Sequence, residues 1–152
     1  MSLDHYSIAS SEDRLSYEFF SDGPHGEIKK VVQFTKLKKH GDSVYDLGFG
    51  DYNAETGDVD DLTVSNNKDR DLVLQTVAST VPFFFEKYPD AQVTFNGSTE
   101  ARTRLYVMEI SKRLSDLDEA FDIKGLKDDS WESFRKNGRY KAILVTRRKA
   151  VN

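Results

Sequence analysis

The sequence contains no cysteine among its 152 residues. This excludes disulfides, cysteine-ligated zinc sites and a cysteine nucleophile. The sequence also has no apolar run close to the ~20 residues that a membrane-spanning helix needs, so no membrane association is predicted. The first residues lack the basic and apolar regions of a signal peptide. These absences are compatible with a reducing compartment, and we predict a cytoplasmic protein.

Charge is distributed unevenly along the chain, although the net charge is only −4. Residues 1–100 carry nine basic and eighteen acidic side chains, whereas residues 101–152 carry thirteen basic and eight acidic ones. The overall acidity disfavours strong nonspecific binding to DNA. The basic excess of the last third still permits a local cationic surface.

Patterns of apolar residues indicate both strands and helices. The predicted strands are 15–20, 28–37, 44–52, 59–64, 91–95, 120–123 and 139–146, and the turn at 21–26 is predicted to join the first two as a hairpin. One predicted helix has an apolar stripe and ends at about residue 88, and a second spans 99–114. Residues 115–119 are predicted as an acidic break, and residues 125–136 are predicted to be mostly loop. The order β-β-β-β-α-β-α-β-β predicts an α+β fold in which a largely antiparallel sheet carries both helices on one face. We predict a single domain, 1–152, with a polar lead-in at 1–14 and a basic tail at 147–152. An expression-derived origin of the first three residues stays open.

The stretch from Phe95 to Tyr106 is the only place where glycine, hydroxyl groups and cations occur within a few residues. Its pattern indicates a strand end, a glycine turn and a helix start. Unpaired N–H groups and the dipole at a helix start favour anions, and arginine adds forked donors for phosphate. We therefore predict a binding set for the phosphate of a nucleotide or RNA: Gly97, Ser98, Thr99, Arg102, Arg104 and Tyr106.

The two arginines of this stretch point about 200° apart on a helix, so only one of them can face a ligand. The stretch is neither a P-loop nor a dinucleotide fingerprint, because Gly97 stands alone and no lysine follows it in the required frame. An ordinary Ser/Thr cap followed by surface arginines is the alternative interpretation.

An acidic stretch from Asp51 to Asp61 offers oxygen ligands of the kind that Ca²⁺ and Mg²⁺ prefer. Its spacing does not fit a calcium loop, because Gly57 falls at position seven and Leu62 at position twelve. We interpret it as a solvated hairpin and predict neither a metal nor a cofactor. Asp60 and Asp61 are weak candidates for a catalytic general base.

Basic and aromatic residues are concentrated near the C-terminus: Trp131, Phe134, Arg135, Lys136, Arg139, Tyr140 and Lys141. Aromatic rings stack on bases and cations contact phosphates. Alternatively, Trp131 and Phe134 fill the core while the charges are solvated. The three histidines, His5, His25 and His40, lack metal-ligand spacing and are predicted to lie at the surface.

Several short motifs carry a likeness to a known family: Gly48–Asn53, Asp60–Asp61, Ser65–Asn67, Val77–Val81, Tyr88–Ala91, Gly97–Tyr106 and Trp131–Phe134. Together they resemble a family of small bacterial proteins, mainly of the Bacteroidetes type, that has no assigned activity. The likeness extends from about residue 15 to the final strand. It implies a bacterial, cytoplasmic, single-domain protein and supplies no catalytic residues.

Two functional hypotheses follow from the sequence. The first is a phosphate-recognising protein that binds or acts on a nucleotide or RNA through Gly97–Tyr106. The second is a non-enzymatic module that pairs with a protein partner, or with a second copy of the chain, through a sheet face or edge. The sequence leaves open whether the protein is an enzyme.

Overall fold

A computed structural model describes residues 5–37, 43–60, 67–97 and 99–148. The chain forms two compact units. The first unit comprises Met1–Phe34 and Gly48–Lys87, and the second comprises Thr35–Leu47 and Tyr88–Asn152. The organisation into a single domain stays a prediction.

The first unit is built on the hairpin of β2 (Ser16–Gly23) and β3 (Gly26–Lys36). Gly23 pairs with Gly26, and Gly26 adopts a φ of +81°, a conformation that favours glycine. The predicted hairpin is therefore confirmed. The unit's other elements are β1 (Ala9–Ser10), the later part of β4 (Val44–Tyr52), β5 (Val59–Asp60) and α1 (Arg70–Lys87).

Aromatic residues form the core of the first unit. Phe34 of β3 and Phe84 of α1 stack with their ring centroids 4.3 Å apart. Tyr17 of β2 meets Phe34 edge-on at 5.8 Å. Tyr17 and Phe84 are fully buried, so the inward face of the strands and the apolar stripe of the helix close on each other here.

A polar cluster holds the segment before β1 against the start of α1. The Tyr6 hydroxyl donates a hydrogen bond to Asp69 Oδ2 at 2.6 Å, and the Ser21 hydroxyl donates to the same oxygen at 2.5 Å. The Tyr6 oxygen also accepts from the Asp22 N–H at 3.1 Å. Burial, followed by the hydrogen bond to Asp69, raises the pKa of Tyr6 above its ordinary value.

We expect Tyr6→Phe to lower the free energy of unfolding by about 1–2 kcal/mol, because it removes a hydrogen bond to a carboxylate. Chemical denaturation measures this loss. A tyrosine with a raised folded-state pKa contributes stability below its unfolded pKa and loses that stability as the pH rises through the folded value, so the deficit should shrink above about pH 10. Tyr52→Phe is the control, since it keeps the ring that Lys29 covers at 4.3 Å. Equal losses in the two variants would contradict the prediction.

The second unit contains a mixed sheet with one parallel pair. The first residues of β4 run parallel to β6 (Gln92–Phe95), whereas β6 pairs antiparallel with β9 (Ala142–Arg147). β9 pairs antiparallel with β7 (Phe121–Lys127), and β7 forms a hairpin with β8 (Ser130–Ser133). The order is therefore β4-β6-β9-β7-β8.

Two helices belong to the second unit, α2 (Glu100–Lys112) and α3 (Leu114–Ala120). α2 buries Tyr106, whose ring meets Phe95 of β6 edge-on at 5.5 Å. Of the three helices in the described ranges, none has both the length and the apolar character that crossing a membrane would require.

The predicted α+β class and the largely antiparallel pairing are confirmed. Three segments differ from the prediction. Ala9 and Ser10, within the predicted lead-in, form β1 and pair with β2. Residues 115–119, predicted as an acidic break, lie in α3, where Asp116 in the first turn suits the helix dipole. Residues 125–136, predicted as a loop, contain the end of β7 and all of β8. The predicted strand 59–64 is described only as far as Asp60.

Candidate functional site

The start of α2 is fixed by hydrogen bonds within the chain. Thr99 caps the helix, and its hydroxyl accepts from the Arg102 N–H at 3.1 Å. The Gly97 N–H donates to Thr103 Oγ1 at 3.0 Å. A side chain at Gly97 would collide with the backbone of Thr103 and the side chain of Arg102. The turn thus needs glycine at this position, and its N–H group is already engaged by Thr103.

The two arginines of this stretch lie in different environments, as their spacing on a helix requires. Arg102 is half-buried against the turn, whereas Arg104 is exposed. Tyr106 is buried in the core of the second unit. Ser98 lies outside the described residues. Of the two arginines in the predicted set, Arg104 is therefore the one whose side chain is exposed.

An open cleft of about 800 Å³ lies beside the start of α2 within the second unit. One wall is formed by the turn at Gly97 and the exposed side of α2. The rest of the lining comes from the β7–β8 turn and from residues 137–141. Arg104 lines the cleft. The structure thus joins the turn–helix stretch to part of the basic and aromatic segment, which the sequence presents as separate candidates.

Cations dominate the charged lining of the cleft. Two carboxylates, Glu100 and Asp128, are accompanied by four cationic side chains, Arg104, Lys127, Arg139 and Lys141. Within the part of the chain that the structure describes, none of these four cations forms an ion pair. Unneutralised cations that share one concave surface produce a positive local potential and attract anions. The cleft is therefore cationic on a chain that is acidic overall.

Tyr140 gives the cleft a rigid aromatic boundary. Its hydroxyl donates to Glu132 Oε2 at 3.0 Å and accepts from the Arg135 N–H at 3.0 Å. Its ring fills the space that side chains at Gly125 and Gly138 would need. Burial raises the pKa of the Tyr140 hydroxyl, so it stays a hydrogen-bond donor at neutral pH.

Apolar residues and two unusual backbone positions complete the lining. Val107 is buried, whereas Met108 is 39% exposed on α2. Asp128 and Asn137 both adopt the left-handed conformation, with φ values of 54° and 59°. Asn and Asp tolerate this conformation better than most residues. The Asn137 N–H donates to Ser111 Oγ at 2.9 Å, which fixes its loop against α2.

Asp51, at the start of the acidic stretch, lies in the first unit and does not line the cleft. Asp51 forms an ion pair with Lys30. Asp60 pairs with Asp51 in the β4–β5 register, and Asp61 lies outside the described residues. Among the residues with described positions, no group of three or more His, Cys, Asp or Glu side chains is arranged to hold a metal ion.

The remaining aromatic and histidine candidates are divided between the core and the surface. Phe134 is buried, as the core interpretation predicted, but Trp131 is 44% exposed. His5 and His25 are exposed, as predicted, and His40 lies outside the described residues. Lys127 was missed by the sequence analysis, because only the β7–β8 hairpin brings it into the same cleft as residues of α2.

The fold and the cleft define an α+β protein with a cationic cleft on its second unit. The model of a protein family described as "Family of unknown function (DUF6934)" matches residues 2–148. The chain belongs to this family. No curated protein and no solved structure gives a significant match. The predicted resemblance to a family without assigned activity is thus confirmed, and the comparisons assign no activity to any residue.

Proposed function

We propose that the cleft of the second unit binds a phosphate-bearing ligand, a nucleotide or the phosphates of RNA. The observation that carries this proposal is a set of four cations on one concave surface, none of which forms an ion pair with another described residue: Arg104, Lys127, Arg139 and Lys141. Arginine presents a planar fork that matches phosphate oxygens, and lysine acts as a compact point charge. Charge-assisted hydrogen bonds of this kind are the stronger ones in proteins.

The apolar part of the lining favours a ligand larger than inorganic phosphate. Val107, Met108 and the ring of Tyr140 line the same cleft as the cations. Its volume of about 800 Å³ lies within the range of small-molecule sites, roughly 300–1,000 Å³. We propose that a base or another flat group lies along this apolar lining while its phosphate meets the cations.

The proposal gives the predicted residues different roles. Arg104 contacts the ligand. Gly97 and Thr99 shape the turn at the edge of the cleft. The Gly97 N–H donates to Thr103 Oγ1, and the Thr99 hydroxyl accepts from the Arg102 N–H. Arg102 and Tyr106 support the helix from its inner side. The proposal covers binding alone, and catalysis is a separate question that an assay of turnover would answer once binding is established.

Thermal melting with phosphate, mononucleotides and a short RNA tests the proposal on the whole chain. A ligand present at about 100 times its Kd stabilises the folded state by ~2.7 kcal/mol. We expect such a shift for the wild type and binding about tenfold to a hundredfold weaker for Arg104→Ala and Arg139→Ala, since each removes a charged hydrogen-bond donor. Arg102→Ala is the matched control on the same helix, and it should keep the shift.

Two outcomes would overturn the proposal. One is the absence of any shift with all three ligand classes while the wild type is folded. The other is a shift that Arg104→Ala and Arg139→Ala retain but Arg102→Ala loses. A steep salt dependence with RNA, compared with a shallow one with mononucleotides, would identify RNA as the ligand.

We also propose a bacterial, cytoplasmic protein, which the lack of cysteine and the family resemblance support. Cell fractionation with detection of the native protein tests the location. Recovery in a membrane or exported fraction would contradict it.

The second functional candidate, a protein-interaction module, is favoured by one observation, the exposed Trp131 on β8.

A further inference from the structure

Strand β8 forms one edge of the sheet in the second unit. It pairs with β7 on one side, and no strand in the described ranges pairs with its other side. The Phe134 N–H donates to the Ile123 carbonyl at 3.0 Å, so this pair is hydrogen-bonded toward β7. Because an antiparallel ladder alternates, the peptide groups of Trp131 and Ser133 point outward. An open edge of this kind is a template for another strand.

The side chains of this edge strand lack the protection that open edges usually carry. β8 contains the only tryptophan in the chain, and that residue is 44% exposed. Open edges are blunted by short strands, charged side chains, proline or bulges; β8, with the sequence Ser-Trp-Glu-Ser, is short and carries one charge, Glu132, but has neither lysine nor proline. A large aromatic side chain at an exposed edge is more typical of an interaction surface.

The charges before β8 are negative and those after it are positive. Two antiparallel copies of the strand would therefore bring opposite charges together at each end. Asp128 and Asp129 precede the strand, and Arg135 and Lys136 follow it. The Arg135 side chain is 84% exposed, and its Nε lies 3.9 Å from Oε2 of Glu132 in the same chain. In an antiparallel pair of identical strands centred on Glu132, Asp129 comes next to Arg135 of the second copy, just beyond the two ends of the paired residues, whereas Asp128 and Lys136 lie in turns outside the pairing. The contact between Asp129 and Arg135 occurs twice by symmetry.

We propose that β8 is a homodimerisation edge that pairs antiparallel with β8 of a second copy of this chain. This goes beyond the proposed ligand site, since it assigns a partner to a different surface. The outward peptide groups of Trp131 then bond those of Ser133 in the second copy. The two tryptophans become diagonal neighbours on one sheet face, within reach of each other.

One contact opposes this pairing and limits its strength. The two Glu132 side chains lie opposite each other at the symmetry axis, and like charges in that position are destabilising. Each Glu132 also accepts a hydrogen bond from its own Tyr140, at 3.0 Å. The dimer is therefore expected to dissociate on dilution, and high salt should weaken the flanking charge pairs.

Sedimentation equilibrium and tryptophan fluorescence of the whole chain test the dimer directly. Because the chain has one tryptophan, its emission reports on this edge alone. We expect the mass to rise toward that of a dimer between sub-micromolar and near-millimolar protein, with a blue shift of the emission over the same range. A wild type that stays monomeric throughout would overturn the proposal, as would a dimer with unchanged emission.

A charge exchange identifies the surface. Asp129→Lys and Arg135→Glu each place like charges opposite each other twice, so each variant alone should dimerise about tenfold or more weakly than the wild type. An equimolar mixture of the two should regain wild-type affinity as a heterodimer, because both charge pairs are then restored. Failure of the mixture to regain affinity while both variants are folded by circular dichroism would overturn the proposal.

Two further comparisons keep this inference separate from the ligand site. Trp131→Ala should lower the dimer fraction in sedimentation without relying on fluorescence. Neither Asp129 nor Arg135 lines the cleft, so their variants should keep any melting shift with phosphate ligands. The experiments can thus contradict the dimer proposal while they support ligand binding, and they can contradict ligand binding while they support the dimer.

Discussion

Replacing Lys30 with methionine is expected to lower the free energy of unfolding by about 3–5 kcal/mol. Lys30 of β3 and Asp51 of β4 form an ion pair whose side chains are 8% and 16% exposed. Removing the cation leaves a largely buried carboxylate without its counter-charge, and an uncompensated buried charge is costly. Urea denaturation of the purified variant measures the loss.

The neighbouring lysine supplies a matched control. Lys29 lies 3.2 Å from Glu18, but these side chains are 31% and 48% exposed. Lys29→Met should therefore cost less than about 1 kcal/mol. The double variant Lys30→Met with Asp51→Leu should recover most of the loss, because an apolar pair of similar volume replaces both charges. A Lys30→Met variant as stable as Lys29→Met would show that the pair contributes nothing.

Gly125→Ala is expected to cost about 1–3 kcal/mol of stability, because it overpacks a filled site. The new methyl group would occupy the place of the Tyr140 ring. That ring cannot easily turn aside, since its hydroxyl is bonded to both Glu132 and the Arg135 N–H at 3.0 Å. Displacing the ring should also weaken ligand binding in the cleft that Tyr140 lines.

The same substitution at Gly48 is the control for this prediction. A side chain at Gly48 would meet no atom within 4 Å. Gly48→Ala should be neutral or slightly stabilising, because alanine restricts the unfolded chain more than glycine does. Thermal unfolding of the two variants makes the comparison. Equal stability would show that Tyr140 adapts to the methyl group and that the pocket around its ring is loose.

The sequence predicted the parts of the fold whose signals are local. The β2–β3 hairpin follows from a turn with Gly23, Pro24 and Gly26 between two alternating runs. The first helix follows from an apolar stripe, and its member Phe85 is buried. β8 was missed, because Ser-Trp-Glu-Ser has little strand pattern of its own. Its pairing with β7 stabilises the extended conformation, which the residues of β8 do not favour strongly by themselves.

The candidate site was predicted only in part, for a related reason. Arg104 was found from the cations near a helix start, and Arg139 and Lys141 were found in a basic segment. No local pattern indicates that these two groups share one cleft, since α2 and residues 137–141 are joined by two strands and a helix. Gly97 was expected to present its N–H group to a ligand, but the Thr103 hydroxyl takes that bond.

The sequence by itself determined the α+β class, the absence of thiol chemistry and the cap at the start of α2. Each depends on composition or on residues a few positions apart, where backbone geometry limits the outcome. Only the tertiary structure decided that Lys127 lines the same cleft as α2, that Asp51 is neutralised by Lys30, and that Trp131 lies on an edge strand of the described sheet. These depend on strand pairing between distant segments, and strand pairing is set by the burial of a whole sheet face.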